Sequence, residues 1–295
     1  MLIGIEARSQ NFFASVFAGS SNYSGELQEK PFTFNQSNLA LGVGLLFEAN
    51  EKLLIRGDFT YGRISASDEF SSKNKIRNLS FFSYLYEYSL GAEYVLLDLY
   101  RYRVSPYIMT GVSLFDFNPF TKDSKGNKIL LAELSTEGQG FFDGRKDYKL
   151  RQFSIPFGGG FQWAINDNKR IGFVVGFRKT FTDYLDDVST TYVDELVLAA
   201  NRGQKAADIA YRSDELPGGG PYPAGGTPRG NPKSKDWYYF TGLTFRIRLT
   251  PKKREIEFRY DTKKSRKSRM LIPMQLLLQR TLLLSLRTEV ASVVR

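Results

Sequence analysis

Eight segments of this chain alternate apolar and polar residues with a period of two. In residues 38–48, Leu39, Leu41, Val43, Leu45 and Phe47 share one face, and Ala40, Gly42, Gly44 and Glu48 share the other. Beyond the short turn 49–51, Leu53, Ile55, Phe59 and Tyr61 fall on one face and Arg56, Asp58 and Thr60 on the opposite one. The pattern returns in 79–95, 104–115, 150–164, 169–181 and 236–249, and 12–19 supplies an eighth segment. Such a period marks a strand whose two faces meet different surroundings. Each segment is about nine residues or longer, which is enough to cross a bilayer when tilted.

The second face decides what the first one meets. It is rich in Gly and Ser, and it carries Arg56, Asp58, Glu87, Glu93, Arg246 and Arg248. A charge on a lipid face at mid-bilayer costs about 2–4 kcal/mol, so these groups are expected to line a narrow lumen as an ion-pair network. The apolar face, including Ile171, Phe173, Val175 and Phe177, then points outward. Tyr61, Tyr84, Tyr94, Trp163, Trp237 and Tyr239 lie near strand ends and suit interfacial girdles. Links at 49–51, 96–103 and 165–168 are short, and those at 20–37, 65–78, 116–149 and 182–235 are long. Strict alternation of the two predicts an all-β fold: an eight-stranded antiparallel transmembrane β-barrel with short periplasmic turns and long extracellular loops, in the cell outer membrane. A soluble sandwich or lipocalin-like barrel is the alternative.

Composition narrows the chemistry. The 295 residues include no Cys and no His. That excludes disulfides, thiolate metal sites, imidazole bases and the Ser-His-Asp triad. No uncharged apolar run reaches 18 residues, so no ordinary transmembrane helix is expected. The net charge of +10 sits mostly in residues 250–295, which hold 12 Lys/Arg against 4 Asp/Glu. The expected division is a signal-peptide remnant or mature start at 1–10, a barrel at 11–249, and a basic tail at 250–295 outside the barrel. Asp183, Asp186 and Asp187 form a close carboxylate group, with Asp194 and Glu195 close behind, that suits Ca²⁺ by its oxygen ligands. Their spacing matches no defined calcium loop, and a solvated acidic loop capping a short helix is the competing expectation. Residues 201–235, rich in Gly and Pro, read as an irregular surface loop.

One long segment, Arg178-Lys-Thr-Phe-Thr-Asp-Tyr-Leu-Asp-Asp-Val-Ser-Thr-Thr-Tyr-Val-Asp194, resembles the corresponding segment of the PorG-like outer-membrane barrels of the type IX secretion system. Ser21–Leu27, Ser105–Ile108, Thr136–Gly140, Ile155–Gly160, Arg229–Asn231 and Asp236–Gly242 agree with that family in the same order. The resemblance covers about residues 11–249. It implies a small barrel in the outer membrane of Bacteroidetes-type bacteria. It further implies association with a periplasmic ring of PorK and PorN, and no catalytic residues.

The expected function is therefore a non-enzymatic secretion component, without cofactor, nucleic acid or small-molecule substrate, whose partners are PorK/PorN-like ring proteins and outer-membrane lipid. A generic small barrel acting as surface adhesin or narrow pore is the alternative. An outer-membrane lipid hydrolase is weakened by the missing His.

Overall fold

The computed structural model describes residues 11–28, 33, 35–142 and 144–250. The expected signal-peptide remnant and all but the first residue of the basic tail lie outside these residues.

Eight long strands form the frame: β1 (Asn11–Ser24), β2 (Asn38–Glu48), β3 (Leu53–Ser67), β4 (Ser80–Val95), β5 (Val104–Asp116), β8 (Arg151–Asn166), β9 (Lys169–Thr180) and β10 (Trp237–Arg248). All pair antiparallel, and β3–β4 and β1–β10 pairings close the sheet into a barrel. The register places Leu41 opposite Tyr61 and Phe173 opposite Leu243, so apolar residues of neighbouring strands meet on one wall. Two short strands, β6 (Pro119–Lys122) and β7 (Lys128–Leu130), form a hairpin that pairs with the top of β4. The short turns are stapled locally. Asn50 Oδ1 accepts from the amides of Lys52 and Leu53 at 2.9 Å each, and Asn166 Oδ1 does the same for Asn168 and Lys169. Asparagine closes such turns because its side chain mimics a backbone carbonyl.

Exposure follows parity as expected. Ile171 and Phe173 are exposed and Val175 and Phe177 half-buried, all facing outward, while Arg170, Gly172, Val174, Gly176 and Arg178 between them are buried. A wall of exposed Leu, Val, Ile and Phe surrounding buried charge is the inverse of a soluble protein. It requires a hydrocarbon solvent. The protein is therefore a transmembrane barrel of the outer-membrane type.

The girdle residues mostly lie where their parity puts them. Tyr61, Tyr94 and Trp163 are exposed, and Tyr84 and Trp237 half-buried. Tyr239 departs from the expectation. It is only 5% exposed, with its ring 5.7 Å from that of Phe177, so it is covered and does not meet the lipid interface.

The long connections are more ordered than their composition implied. The segment 117–150 contains the β6–β7 hairpin and α1 (Leu131–Leu134). Residues 181–236 contain α2 (Glu195–Arg202) and α3 (Gln204–Ala210). The stretch read as an irregular loop is thus partly helical, because Leu198, Ala206, Ala207 and Ala210 bury together with Val193. The acidic loop caps a short helix as expected, through Asp194, which accepts from the amides of Leu196 and Val197 at the start of α2. Asp183, Asp186 and Asp187, expected to be solvated, are buried instead.

Candidate functional site

Two regions hold the chemistry-bearing side chains: the barrel lumen and a cap that the extracellular loops build over it. Glycines prepare the lumen. A Cβ on Gly176 would collide with Arg178 Nη1, and one on Gly44 with Asp58 Oδ1. The small residues seen in the sequence therefore leave volume for charged heads. An eight-stranded interior is otherwise just wide enough for its own side chains.

In the middle layer Arg56 pairs with Asp58 at 2.7 Å and with Glu93 at 3.2 Å. Glu93 also takes a two-pronged bond from Arg246 at 2.7 and 2.9 Å, and the Gln162 amide donates to it as well. Four of the six expected lumen charges thus form one network. Glu87 belongs elsewhere. It pairs with Arg178 at 2.9 Å and accepts from the Tyr238 hydroxyl at 2.7 Å. Arg248 departs from the expected ion pairing. Among the described residues it has no carboxylate partner, and it donates to the Tyr100 hydroxyl at 2.6 Å beside the Phe13 ring. The carboxylate that would have suited it, Glu48, bonds Arg170 at 3.0 Å instead. Between these layers lies a cavity of about 50 Å³, lined by Arg56, Asp58, Thr60 and Arg178. That volume holds a few waters.

The cap is tied by one buried carboxylate. Glu137 accepts from the amides of Ser189 and Thr190 at 2.9 Å each, from the Thr190 hydroxyl at 2.6 Å, and from Arg229 Nη1 at 3.0 Å. These bonds join the 117–150 connection to the 181–236 connection. A second anchor lies beside it. Arg77 is bidentate to Asp68 at 2.7 and 2.8 Å and donates to the Arg229 carbonyl at 2.6 Å, which adds the 68–79 connection.

The three aspartates considered for calcium are all buried and turned to different partners. Asp183 accepts from Ser189 Oγ at 2.7 Å. Asp187 accepts from Thr136 Oγ1 and from the Tyr148 hydroxyl at 2.8 Å, with Arg229 Nη2 4.0 Å away. Asp186 instead gathers with Glu26 and Asp236, the ligand atoms of all three lying within 4.8 Å of one another. The Tyr23 hydroxyl stands between two of them, 2.7 Å from Asp186 and 2.8 Å from Asp236. One hydroxyl has one proton, so it serves only one of these carboxylates at a time.

Burial pushes all of these acids upward. Glu26 rises to about 7 through burial and then the Asp183 charge. Asp183 rises to about 6 by burial, and Asp187 rises to about 6 by burial although Arg229 opposes it. Asp186 and Asp236 rise well above the carboxylate range through burial and mutual repulsion with Glu26.

Among the lumen and cap residues that escaped the sequence reading as partners are Glu48, Arg170, Arg178 and Glu137. Glu137 lay inside the quoted Thr136–Gly140 stretch and Arg229 inside Arg229–Asn231. Their place in the resemblance was the signal that they meet.

The family model described as "Domain of unknown function (DUF6089)" matches residues 1–198. Neisserial surface protein A is similar in structure at 10% identity, with a TM-score of 0.40, over 80% of this chain and 96% of that one. Ail, the attachment invasion locus protein of Yersinia pestis, shows 11% identity and a TM-score of 0.38, over 81% of this chain and 100% of its own. A major outer membrane protein from Thermus thermophilus shows 11% identity and a TM-score of 0.39, over 82% of this chain and 100% of its own. No curated protein sequence matches the chain.

Proposed function

The chain belongs to the DUF6089 family, and on that premise we propose that it is a non-enzymatic docking component of the outer membrane, serving type IX protein secretion through a PorK/PorN-like periplasmic ring. One observation carries the docking half of this reading: the lumen is filled. The Arg56–Glu93–Arg246 layer, the Glu87–Arg178 pair above it and the Glu48–Arg170 pair below it cross the barrel at successive heights. A barrel closed by its own salt bridges conducts no polypeptide, so its work is done by its surfaces. The secretion half rests on the resemblance. It gains support because the quoted segments Thr136–Gly140, Arg178–Asp194, Arg229–Asn231 and Asp236–Gly242 converge in one bonded unit, through Glu137, Ser189, Arg229 and Asp236.

Chemistry in the cap does not favour catalysis. The Ser189–Asp183 pair is the nearest thing to a nucleophile beside an acid. Both residues are buried, and the serine proton goes to a carboxylate with no third group orienting it. On the periplasmic side the turn after β4 exposes Leu96, Leu97 and Tyr102, an apolar projection suited to a protein or to the inner headgroup layer.

Affinity purification from solubilised outer membranes tests the reading. Co-purification of a periplasmic ring lipoprotein is the expected result. Single-channel conductance in planar bilayers, with no ring protein retained, would replace it with a pore. The ordered extracellular loops favour an adhesin as the second reading, and binding of intact cells to host or matrix surfaces, lost with the loops, would establish that instead.

A further inference from the structure

The outer wall of the barrel carries two cations where lipid is expected. Along β3 the outward residues run Leu53, Ile55, Gly57, Phe59, Tyr61 and then Arg63. From Leu53 to Tyr61 the strand rises by about 27 Å, which at the usual tilt spans most of the apolar band. Arg63 therefore sits at the height of the outer headgroups, just above the aromatic girdle.

Around it lies a continuous stack of rings. Tyr61 and Tyr84 are stacked at 6.1 Å, Tyr84 and Phe120 at 5.7 Å, and Phe82 and Phe120 at 5.6 Å. Arg63 lies over Phe82 at 5.5 Å, and Lys128, brought in by the β6–β7 hairpin, lies over Phe120 at 4.3 Å and Tyr84 at 5.7 Å. Among the described residues neither cation has a carboxylate within salt-bridge distance. Among the described residues Arg63 spends only its Nε–H, on the Asn38 amide oxygen at 2.7 Å. Three acids of this rim are already engaged: Asp116 by Arg151, Asp123 by Lys205, and Asp68 by Arg77. Two cations with no carboxylate partner among the described residues, held on a lipid-facing wall by ring faces, call for an anion that arrives with the membrane.

We propose that Arg63 and Lys128, standing on the Tyr61–Tyr84–Phe120–Phe82 rings, bind the phosphate of an anionic outer-leaflet glycolipid, with Tyr61, Tyr84 and Phe82 receiving its sugar and upper acyl carbons over the buried Phe120. The guanidinium Nη groups and the ammonium supply the charge-assisted donors. The aromatic plate supplies the amphipathic surface that such a headgroup needs. The inference rests on the barrel's membrane placement and not on a secretion role, so ring-protein binding and lipid binding fail independently.

The test uses the full chain folded into phosphatidylcholine nanodiscs doped with diphosphoryl lipid A or with its dephosphorylated form. Retention of the glycolipid on the purified particle is read by mass spectrometry. The intact protein should retain the phosphorylated form preferentially. The double variant Arg63→Gln/Lys128→Gln should lose about 30-fold of that preference, at roughly fivefold per cation near an anionic surface. Lys125→Gln removes a charge from the turn of the same hairpin without touching the rings, and should keep the preference. Heat-modifiability on a gel confirms that each variant is folded. Equal loss in the Lys125 variant would reduce the effect to net charge and overturn the proposal. An unchanged double variant would overturn it as well. So would inorganic phosphate displacing the lipid completely, since the site would then recognise the free anion and not a lipid.

Discussion

The lumen and the extracellular cap solve the same problem, buried carboxylates, in opposite ways. In the lumen each of Glu48, Asp58, Glu87 and Glu93 has an arginine within 3.2 Å. In the cap, Glu137 is paired in the same fashion, but Glu26, Asp186 and Asp236 face one another across a tyrosine hydroxyl. The arginine whose charge bears on Asp186 is Arg77, and its guanidinium is spent on Asp68. Guanidinium groups stay charged at every accessible pH, so the barrel's interior holds each carboxylate against a fixed cation. A carboxylate trio with no ion-paired cation among the described residues relies on protons. The two regions should therefore respond differently to mutation and to pH.

The largest effect is expected in the lumen. Glu93→Ala strands both Arg56 and Arg246 in a water-poor interior, and should cost about 3–5 kcal/mol of barrel stability. Urea titration followed by heat-modifiability measures it. A cost under about 1 kcal/mol would mean that lumen waters already screen the network. Next comes the cap. Arg229→Met leaves Glu137 without its cation, and should raise the protease sensitivity of the 181–236 connection by the equivalent of about 3 kcal/mol while barrel closure is unchanged. Simultaneous loss of the folded band would show that cap and barrel are one cooperative unit.

Acidification separates the regions most directly. The cap acids bind protons more readily folded than unfolded, since Asp183 and Asp187 titrate at about 6 and Glu26 at about 7. A raised carboxyl takes up a proton on folding between its unfolded and folded values. Stability of the cap should accordingly increase as pH falls from about 7 toward about 4, the reverse of ordinary acid denaturation. Hydrogen exchange of the 181–190 amides at pH 7.5 and 5 reads this, and slower exchange at the higher pH would contradict it. The smallest effect is the sharpest probe. Asp236→Asn keeps one acceptor for the Leu185 amide but removes one buried charge. It should flatten the pH dependence with less than about 1 kcal/mol change at pH 5.

These contrasts also mark how far the residues could be read in order. Asp58, Arg56, Glu93 and Arg246 were assigned to one lumen from parity alone, and they meet there. Glu87 was assigned to the same face, yet its partner is Arg178, because strand tilt brings β9 across from β4 at that height and the one-dimensional pattern contains no stagger. Asp183, Asp186 and Asp187 read as a solvated or metal-binding group because they are close in sequence. The chain turns between them, with Asp187 at a φ of 66°, and sends each to a different neighbour. Glu26 and Asp236, the true companions of Asp186, lie far from it in the chain.

The sequence by itself determined the strands, their two faces and the solvent each face requires. A period of two over a span of about nine residues leaves few alternatives once charge occupies the minority face. It also excluded thiol and imidazole chemistry. Which guanidinium meets which carboxylate, that Tyr239 is covered, that the long loops condense into a bonded cap, and that Lys128 reaches the rings beside Arg63 were decided by the tertiary structure. Those contacts depend on register, shear and loop packing, which join residues up to more than 150 positions apart, such as Glu93 and Arg246, and local periodicity carries no information at that distance.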